Sequence, residues 1–559
     1  MDSGWGSRLE DFEIDAEQWP GEARLRQSCI DGERCVFGDG VPLNEATERE
    51  LSIRAAFLRY LLLGGCERTT VHRRGVRLTG ARICCETPSR ASADEAGSLD
   101  LEAEVIVVDL ALNLCHVEGS VVLRRAETRT IDLSGSVIDS LHGDGLRATG
   151  DLRLTRGFHA SGQVRLAQAE ISGSLDARDG HFDDTDISLL ANRTRIGGDA
   201  ILSGLTANGS VSLSNATVGG DVTTQGGAFL GAPALQLRNT TITGTFFWRS
   251  IRSAPGEVDL RGASCALVNM DERSWLRKRR DTSVTHIPNE ASDGDTDPSP
   301  PPDADPDQAA ITWLQGFKYG GFVNLEADYA AKFWYDWLEQ QPEHHHHQNF
   351  RPQPFEQLAN VLDTMGHEAE ALSIRIRKEH LKTRSLWFHE RHRSGPELLN
   401  KLQIFWRVIT RAIVDYGYRP GKALIWLVAL IGLGTPIFWY AGVAGVMTPT
   451  HPLIFKEAHE AGRIDPRCAE NWVHFVVPSC TKQMPSEYSE FSALMYSADI
   501  ALPIINFRQQ SDWAPRVVNH QGENSPLGRA VRVWEWLETV LGWALSLLFV
   551  SAIGGIIRR

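Results

Sequence analysis

No CxxC pair occurs in this chain, and no run of cysteines and histidines has zinc-finger spacing. Its nine cysteines are too dispersed for a disulfide scaffold or an iron–sulfur site. No CxxCH is there to attach haem, and no GxSxG elbow to raise a nucleophilic serine. A common dinucleotide site needs GxGxxG between a strand and a helix. Gly143 and Gly145 give a GxG, but no helical period follows them. Positive charge is also short: a formal net charge of -14 argues against non-specific nucleic-acid binding by the whole chain. No cofactor, resident metal or nucleic-acid partner is expected on these grounds.

Glycine is abundant, and it keeps a beat. In IGGDAILSGLTANGSVSLSNATVGGDV, Ile196 to Val222, related residues recur every eleven positions. Ala200, Val211 and Val222 hold one phase, Leu202 and Leu213 a second, Leu205 and Ala216 a third, Ala207 and Val218 a fourth. Within a unit the apolar residues sit two apart, which places both on one face of a strand. A helix would need spacings of three and four. Gly150, Gly162, Gly173, Gly198, Gly209, Gly220, Gly244 and Gly256 mark the same beat, with some gaps doubled. Two units make one turn of about 22 to 25 residues in a parallel β-helix, each turn covering its neighbour. The competing fold is a β-sandwich, which needs no fixed apolar register.

The flanks read differently. Glu45 to Gly65 has an apolar helical face (Leu51, Ala55, Phe57, Leu58, Leu61, Leu62) and is expected to cap the open end of the coil. Asn289 to Gln308 is rich in Asp and Pro and reads as a disordered linker. Helical periods follow in Leu325–Gln341, Glu356–Gly366 and from His367. His344 to His347 invite a metal reading, but four consecutive histidines do not converge easily on one ion; an exposed connector is the simpler expectation.

Two uncharged runs close the chain. Ala423 to Met447 is long enough to cross a bilayer, with Pro436 as a kink candidate. Val540 to Ile557 is the second, extended by WEWLETV before it. Arg407, Arg411, Arg419 and Lys422 precede the first run, and no Lys or Arg follows it until Lys456. The positive-inside rule then places the N-terminal body and the C-terminus in the cytoplasm of a bacterial cell, with a multi-pass inner-membrane anchor. The polar, acidic opening MDSGWGSRLEDFEIDAE gives no secretory leader. Cys468 and Cys480 would share the outer side and are candidates for one disulfide. Phe491 to Pro515 is apolar at first, then broken by Asp499 and Pro503 and followed by Trp513. It suits a surface helix or a re-entrant hairpin better than a full span. Asp499 there is a functional candidate; the alternative is a capped helix packed against the two spans.

The fold expected is mainly β plus α: a parallel β-helix (β-solenoid), then a helical segment and a two-helix transmembrane module. The segments are 1–68 (N-terminal segment and cap), 69–271 (β-helix), 272–310 (linker), 311–400 (helical) and 401–559 (membrane, spans about 423–447 and 536–557).

Three phrases carry a resemblance. They are the repeat of type GxVxLxxAxIGGxLxxxGA in Gly162–Ser174 and Gly209–Val222, the helical PQPFEQLANVLDTMGHEAEALSIRIRKE, and YSADIALPIINFRQQSDWAP with the closing LGWALSLLFVSAIGGIIRR. The chain resembles a family of bacterial membrane proteins often labelled "membrane-associated oxidoreductase". The resemblance implies a membrane-anchored β-solenoid and no particular activity. The reading placed first is a cytoplasmic scaffold or sensor for a protein partner on the β-helix, held at the lipid bilayer. The alternative is a homo-oligomeric, ion-conducting or membrane-permeabilising effector, for instance in bacterial defence. No carbonyl-filter motif argues for potassium. A hydrolase would need two carboxylates on adjacent turns, among residues such as His142, Asp144, His159, Asp176 and Asp183. It ranks below both readings, as does an oxidoreductase.

Overall fold

The structure is a computed structural model. It describes residues 9–13, 17, 19–41, 51–84, 98–275, 311–323, 331–342, 344–347, 350–392, 398–451, 488–518 and 524–557. Cys468, Cys480 and the Asn289–Gln308 stretch lie outside the described residues. The chain forms two compact units, Met1–Leu381 and Lys382–Arg559.

The first unit is built on the eleven-residue beat. Each turn of chain makes four strands of about two residues, such as Thr206–Ala207, Val211–Ser212, Thr217–Val218 and Val222–Thr223. Each strand pairs in parallel with the one four places on. Leu152, Leu175, Ala200, Val222 and Phe246 are successive partners, 22 to 25 residues apart. One eleven-residue unit is therefore half a turn. The parallel register excludes a sandwich, whose strands run antiparallel. Ala200, Leu202, Leu205, Ala207, Val211, Leu213, Ala216, Val218 and Val222 all point inward, none more than 1% exposed.

The glycine beat has a steric cause. Gly150, Gly173, Gly198, Gly220 and Gly244 stack on one corner. A Cβ on Gly173 would meet the Gly150 carbonyl carbon at 2.8 Å, and one on Gly244 would meet that of Gly220 at 2.9 Å. Beside this column runs a ladder of side chains accepting backbone amides of the next turn. Ser174 N donates to Asp151 Oδ1 (2.9 Å), Asp199 N to Ser174 Oγ (3.1 Å), Asp221 N to Asp199 Oδ1 (2.8 Å) and Thr245 N to Asp221 Oδ1 (2.7 Å). The amide of Ser174, assisted by Arg153, holds the Asp151 carboxyl below its ordinary range.

Both ends of the coil are covered. At the start, α1 (Pro20–Asp31) and α2 (Ala55–Leu62) join its core. Only part of the helix expected over Glu45–Gly65 is helical: Ser52–Arg54 is a strand paired with Arg82–Cys84. Buried Arg54 ties strand to helix, donating from Nε to Glu22 Oε1 (2.8 Å) and from Nη2 to Glu22 Oε2 (2.7 Å). At the far end, the coil continues past the expected limit at 271. Thr312–Trp313 pairs with Val258–Asp259, and Lys318–Phe322 with the Ser264–Met270 strand. The long polar stretch is thus an insertion into the coil, not a linker after it. Helices α3 (Ala331–Glu339), a short one at His344–His347, and α4 (Gln353–Thr364) follow, and α5 (Glu368–His392) runs on past Leu381 into the second unit. Trp248, Trp275, Tyr319, Phe322, Trp334 and Trp337 pack together there. His344 is exposed, and His345 is buried against the Trp313 ring.

The second unit holds α6 (Leu398–Val414), α7 (Gly421–Val443), α8 (Ala493–Ala501) and α9 (Pro526–Ile557). Gly421–Val443 and Pro526–Ser551 are long and apolar enough to cross a membrane, and most of each is exposed. The second candidate span starts ahead of the expected 536.

The register makes a direct test. Val211→Asp places a carboxylate among stacked turns, where an unpaired charge costs several kcal/mol. Thr217→Asp, on the exposed outer face, should stay within about 0.5 kcal/mol of the parent. Thermal unfolding of the full chain should separate them widely; equal effects would remove the register.

Candidate functional site

The site lies where α7, α8 and α9 pack on one another. Ser492 caps α8, accepting Met495 N at 3.4 Å, and the helix ends at Ala501 because Leu502 precedes a proline and is extended. The chain then turns through Leu502–Phe507 and returns by a short helix, Gln509–Asp512, to the strand Trp513–Pro515. That strand pairs antiparallel with Met447–Pro449, just past the end of α7.

Polar side chains tie the two limbs together at that end. Gln509 Oε1 accepts Ser492 N (3.0 Å), while its Nε2 donates to the Glu490 carbonyl (2.9 Å). Ser489 Oγ donates to Asp512 Oδ2 (2.7 Å), and the Trp513 indole donates to the Ser489 carbonyl (2.9 Å). Trp513 is buried. Asp499 is the staple lower down: Oδ1 accepts Phe507 N (2.7 Å) and Oδ2 accepts Gln510 N (2.8 Å). Its carboxylate thus fastens the returning limb to α8. Pro503 stands in the turn, half-buried, and Pro436 is exposed inside α7.

The hairpin runs deep along the apolar helices. The Ser497 hydroxyl lies 3.1 Å from the Ile431 carbonyl and hydrogen-bonds Glu538 Oε1. Trp534 Nε1 donates to Glu538 Oε2 at 2.8 Å. Ala501 packs with Leu427, Leu430 and Leu545. Ile431 and Gly434 sit near the middle of α7, and Glu538 near the middle of Pro526–Ser551. Two glycines permit this closeness. A Cβ on Gly434 would stand 2.5 Å from Glu538 Oε1, Oε2 and Ser497 Oγ, and one on Gly542 would strike the Ala501 carbonyl. Small residues at such crossings let apolar helices approach.

Glu538 is fully buried, and among the described residues it makes no ion pair. A carboxylate midway along a membrane-length helix is costly and marks a functional position by default; it can hold a proton or meet a cation. Sequence reading passed over Glu538, Ser497 and Gly434. In the sequence WEWLETV only extends the second run; a carboxylate among Trp534, Leu537, Val540 and Leu541 is the signal for Glu538.

Among its described residues the coil presents no comparable constellation. His159 Nε2 meets Asp183 Oδ2 at 2.6 Å, and Asn208 also donates to Asp183. Asp144 pairs with Arg165, Asp176 with Arg178, and His142 with Ser140. Burial pushes the Cys29, Cys84, Cys115 and Cys265 thiols up to about 12, far from nucleophilic use. Among the described residues no group of three His, Cys, Asp or Glu is placed to hold a metal ion.

No family model, no curated protein and no solved structure matches the chain. The β-solenoid and the two apolar C-terminal helices implied by the resemblance are present; the oxidoreductase label has no match behind it.

The site predicts a ranking. Gly434→Leu must drive Ser497 and Glu538 apart and should lower the unfolding temperature of the detergent-purified full chain by several degrees. Glu538→Gln keeps shape and both partners and should cost far less. An unaffected Gly434→Leu would show that the hairpin does not pack there.

Proposed function

We propose that the chain is a membrane-anchored β-solenoid whose second unit, in several copies, forms a cation-conducting path. The observation that carries this reading is the hairpin: both its limbs start at one end of α7, and its tip reaches past the middle of that helix. Non-helical backbone at membrane depth is tolerated only where protein buries it or where it lines water. Within one copy the tip is bare, with Ile504 85% exposed and Ile505 47%. Among the described residues, the carbonyls of Pro503, Ile504, Ile505, Asn506 and Phe507 accept no hydrogen bond. Two spans cannot enclose a channel, so copies must come together around the tips. Backbone carbonyls and the C-terminal, partially negative end of α8 favour a cation there. The basic residues before α7 support a cytoplasmic solenoid, with the hairpin entering from the opposite side. The coil then serves as the surface on which a partner acts, since stacked turns offer an extended face.

Reconstitution tests it. Full-length protein in vesicles, with its oligomeric state measured in parallel, should pass monovalent cations and not anions. Asp499→Ala removes the staple and should abolish the flux while the solenoid stays folded. Tight vesicles from a verified oligomer would overturn the conducting reading and leave an anchored scaffold.

A further inference from the structure

Helix α6 turns a run of large apolar side chains outward as well as inward. Leu402, Phe405, Trp406, Ile409 and Ile413 fall on one stripe at helical spacing; Gln403, Arg407 and Thr410 fall on another. The inward side is mixed: Ile404 and Val414 are buried and Arg407 and Thr410 half-buried, while Gln403 is exposed. Arg407 Nε donates to Thr383 Oγ1 at 3.0 Å and lies over the Tyr416 ring, 5.5 Å from its centroid. Thr383 Oγ1 in turn meets the Tyr416 hydroxyl at 3.1 Å. The first part of the apolar stripe faces outward, with Leu402 and Phe405 each 60% exposed and Trp406 56%; Ile409 is half-buried, and Ile413 packs beside Leu427 and Leu430.

This outward face is continuous with that of α7. The Trp426 indole donates to the Ala412 carbonyl at 3.1 Å, fixing the end of α6 against the first turns of α7. Leu424, Ile425, Trp426 and Val428 on those turns are all about half exposed or more. A tight turn with left-handed residues, Asp415, Tyr416 and Gly417, separates the two helices. Asp415 pairs there with Lys422 at 2.7 Å and Arg419 at 3.8 Å, so the α7 end carries its charges at one level. Lys401 is exposed beside the apolar stripe of α6, and Arg411 is exposed on the opposite side of the helix.

We infer that α6 lies in the plane of the membrane, with lipid as the occupant of its outer face. Leu402, Phe405 and Trp406 enter the boundary of the acyl chains, and Lys401 reaches the phosphates. The inference rests on α7 crossing the bilayer and is independent of conduction.

The experiment is photolabelling of the full chain in phosphatidylcholine–phosphatidylglycerol vesicles, with a diazirine in the acyl chain and adducts mapped by mass spectrometry. Adducts are expected in Leu402–Ile413 and in Leu424–Val428. Phe405→Gln with Trp406→Gln should remove most of the α6 adducts and leave those on α7, which also shows that the variant is folded. Labelled α7 with α6 no better labelled than the outer strands of the solenoid would overturn the inference. So would an unlabelled α6 whose double variant dissociates the oligomer, because a second copy would then be the cover. Absence of label on both helices would sink the membrane reading of α7 and this inference together.

Discussion

Every part of this fold answers one demand: backbone polar groups removed from water must find partners. A two-residue strand cannot satisfy itself. In the first unit it is satisfied only by the strand one turn below and one turn above, so the turn length becomes the period of the sequence. That demand explains why inward residues recur in fixed phases and why glycine columns stand at the corner where turns nearly touch. It also explains the Asp151–Ser174–Asp199–Asp221 ladder, which takes up corner amides that strand pairing leaves over. The aromatic cluster around Trp248 and Trp337 and the Arg54–Glu22 clasp sit where the stack would otherwise end in open edges.

The second unit meets the same demand with helices, which close their hydrogen bonds internally. The Leu502–Phe507 turn departs from this among the packed helices, and the chain surrounds it with compensation. Asp499 gathers two amides of the returning limb, Gln509 and Ser489 bind the limbs at the open end, and Gly434 and Gly542 admit α8 between the two long helices. Among the described residues the carbonyls of the tip accept no hydrogen bond, so their partners lie outside the single copy.

The coil was legible because its constraint is periodic: Ala200, Leu202, Val211, Leu213 and Val222 declare their face by spacing alone. What a period does not show is an interruption. The return of the coil at Thr312–Trp313, after a long polar insertion, rests on two residues, too few to display any alternation. Ser52–Arg54 was hidden for a similar reason, since three residues ahead of a helix carry no phase of their own. In the membrane unit Asp499 and Pro503 stood out, because each breaks an apolar run. Ser497 and Gly434 did not, because their significance lies in packing partners far away in sequence. Glu538 was visible, but its depth follows only from α9 starting near Pro526.

Helix α8 packs against both long helices at mid-height, and the rest of the second unit depends on that contact. Solid-state NMR of the full chain in lipid vesicles, with serine and glycine carbon-labelled, measures this directly. That packing predicts a through-space cross-peak between Ser497 and Gly434 that disappears in Ser497→Ala. A spectrum without that cross-peak, in which Ser497 takes its polarisation from bulk water like the residues of a surface loop, would contradict it.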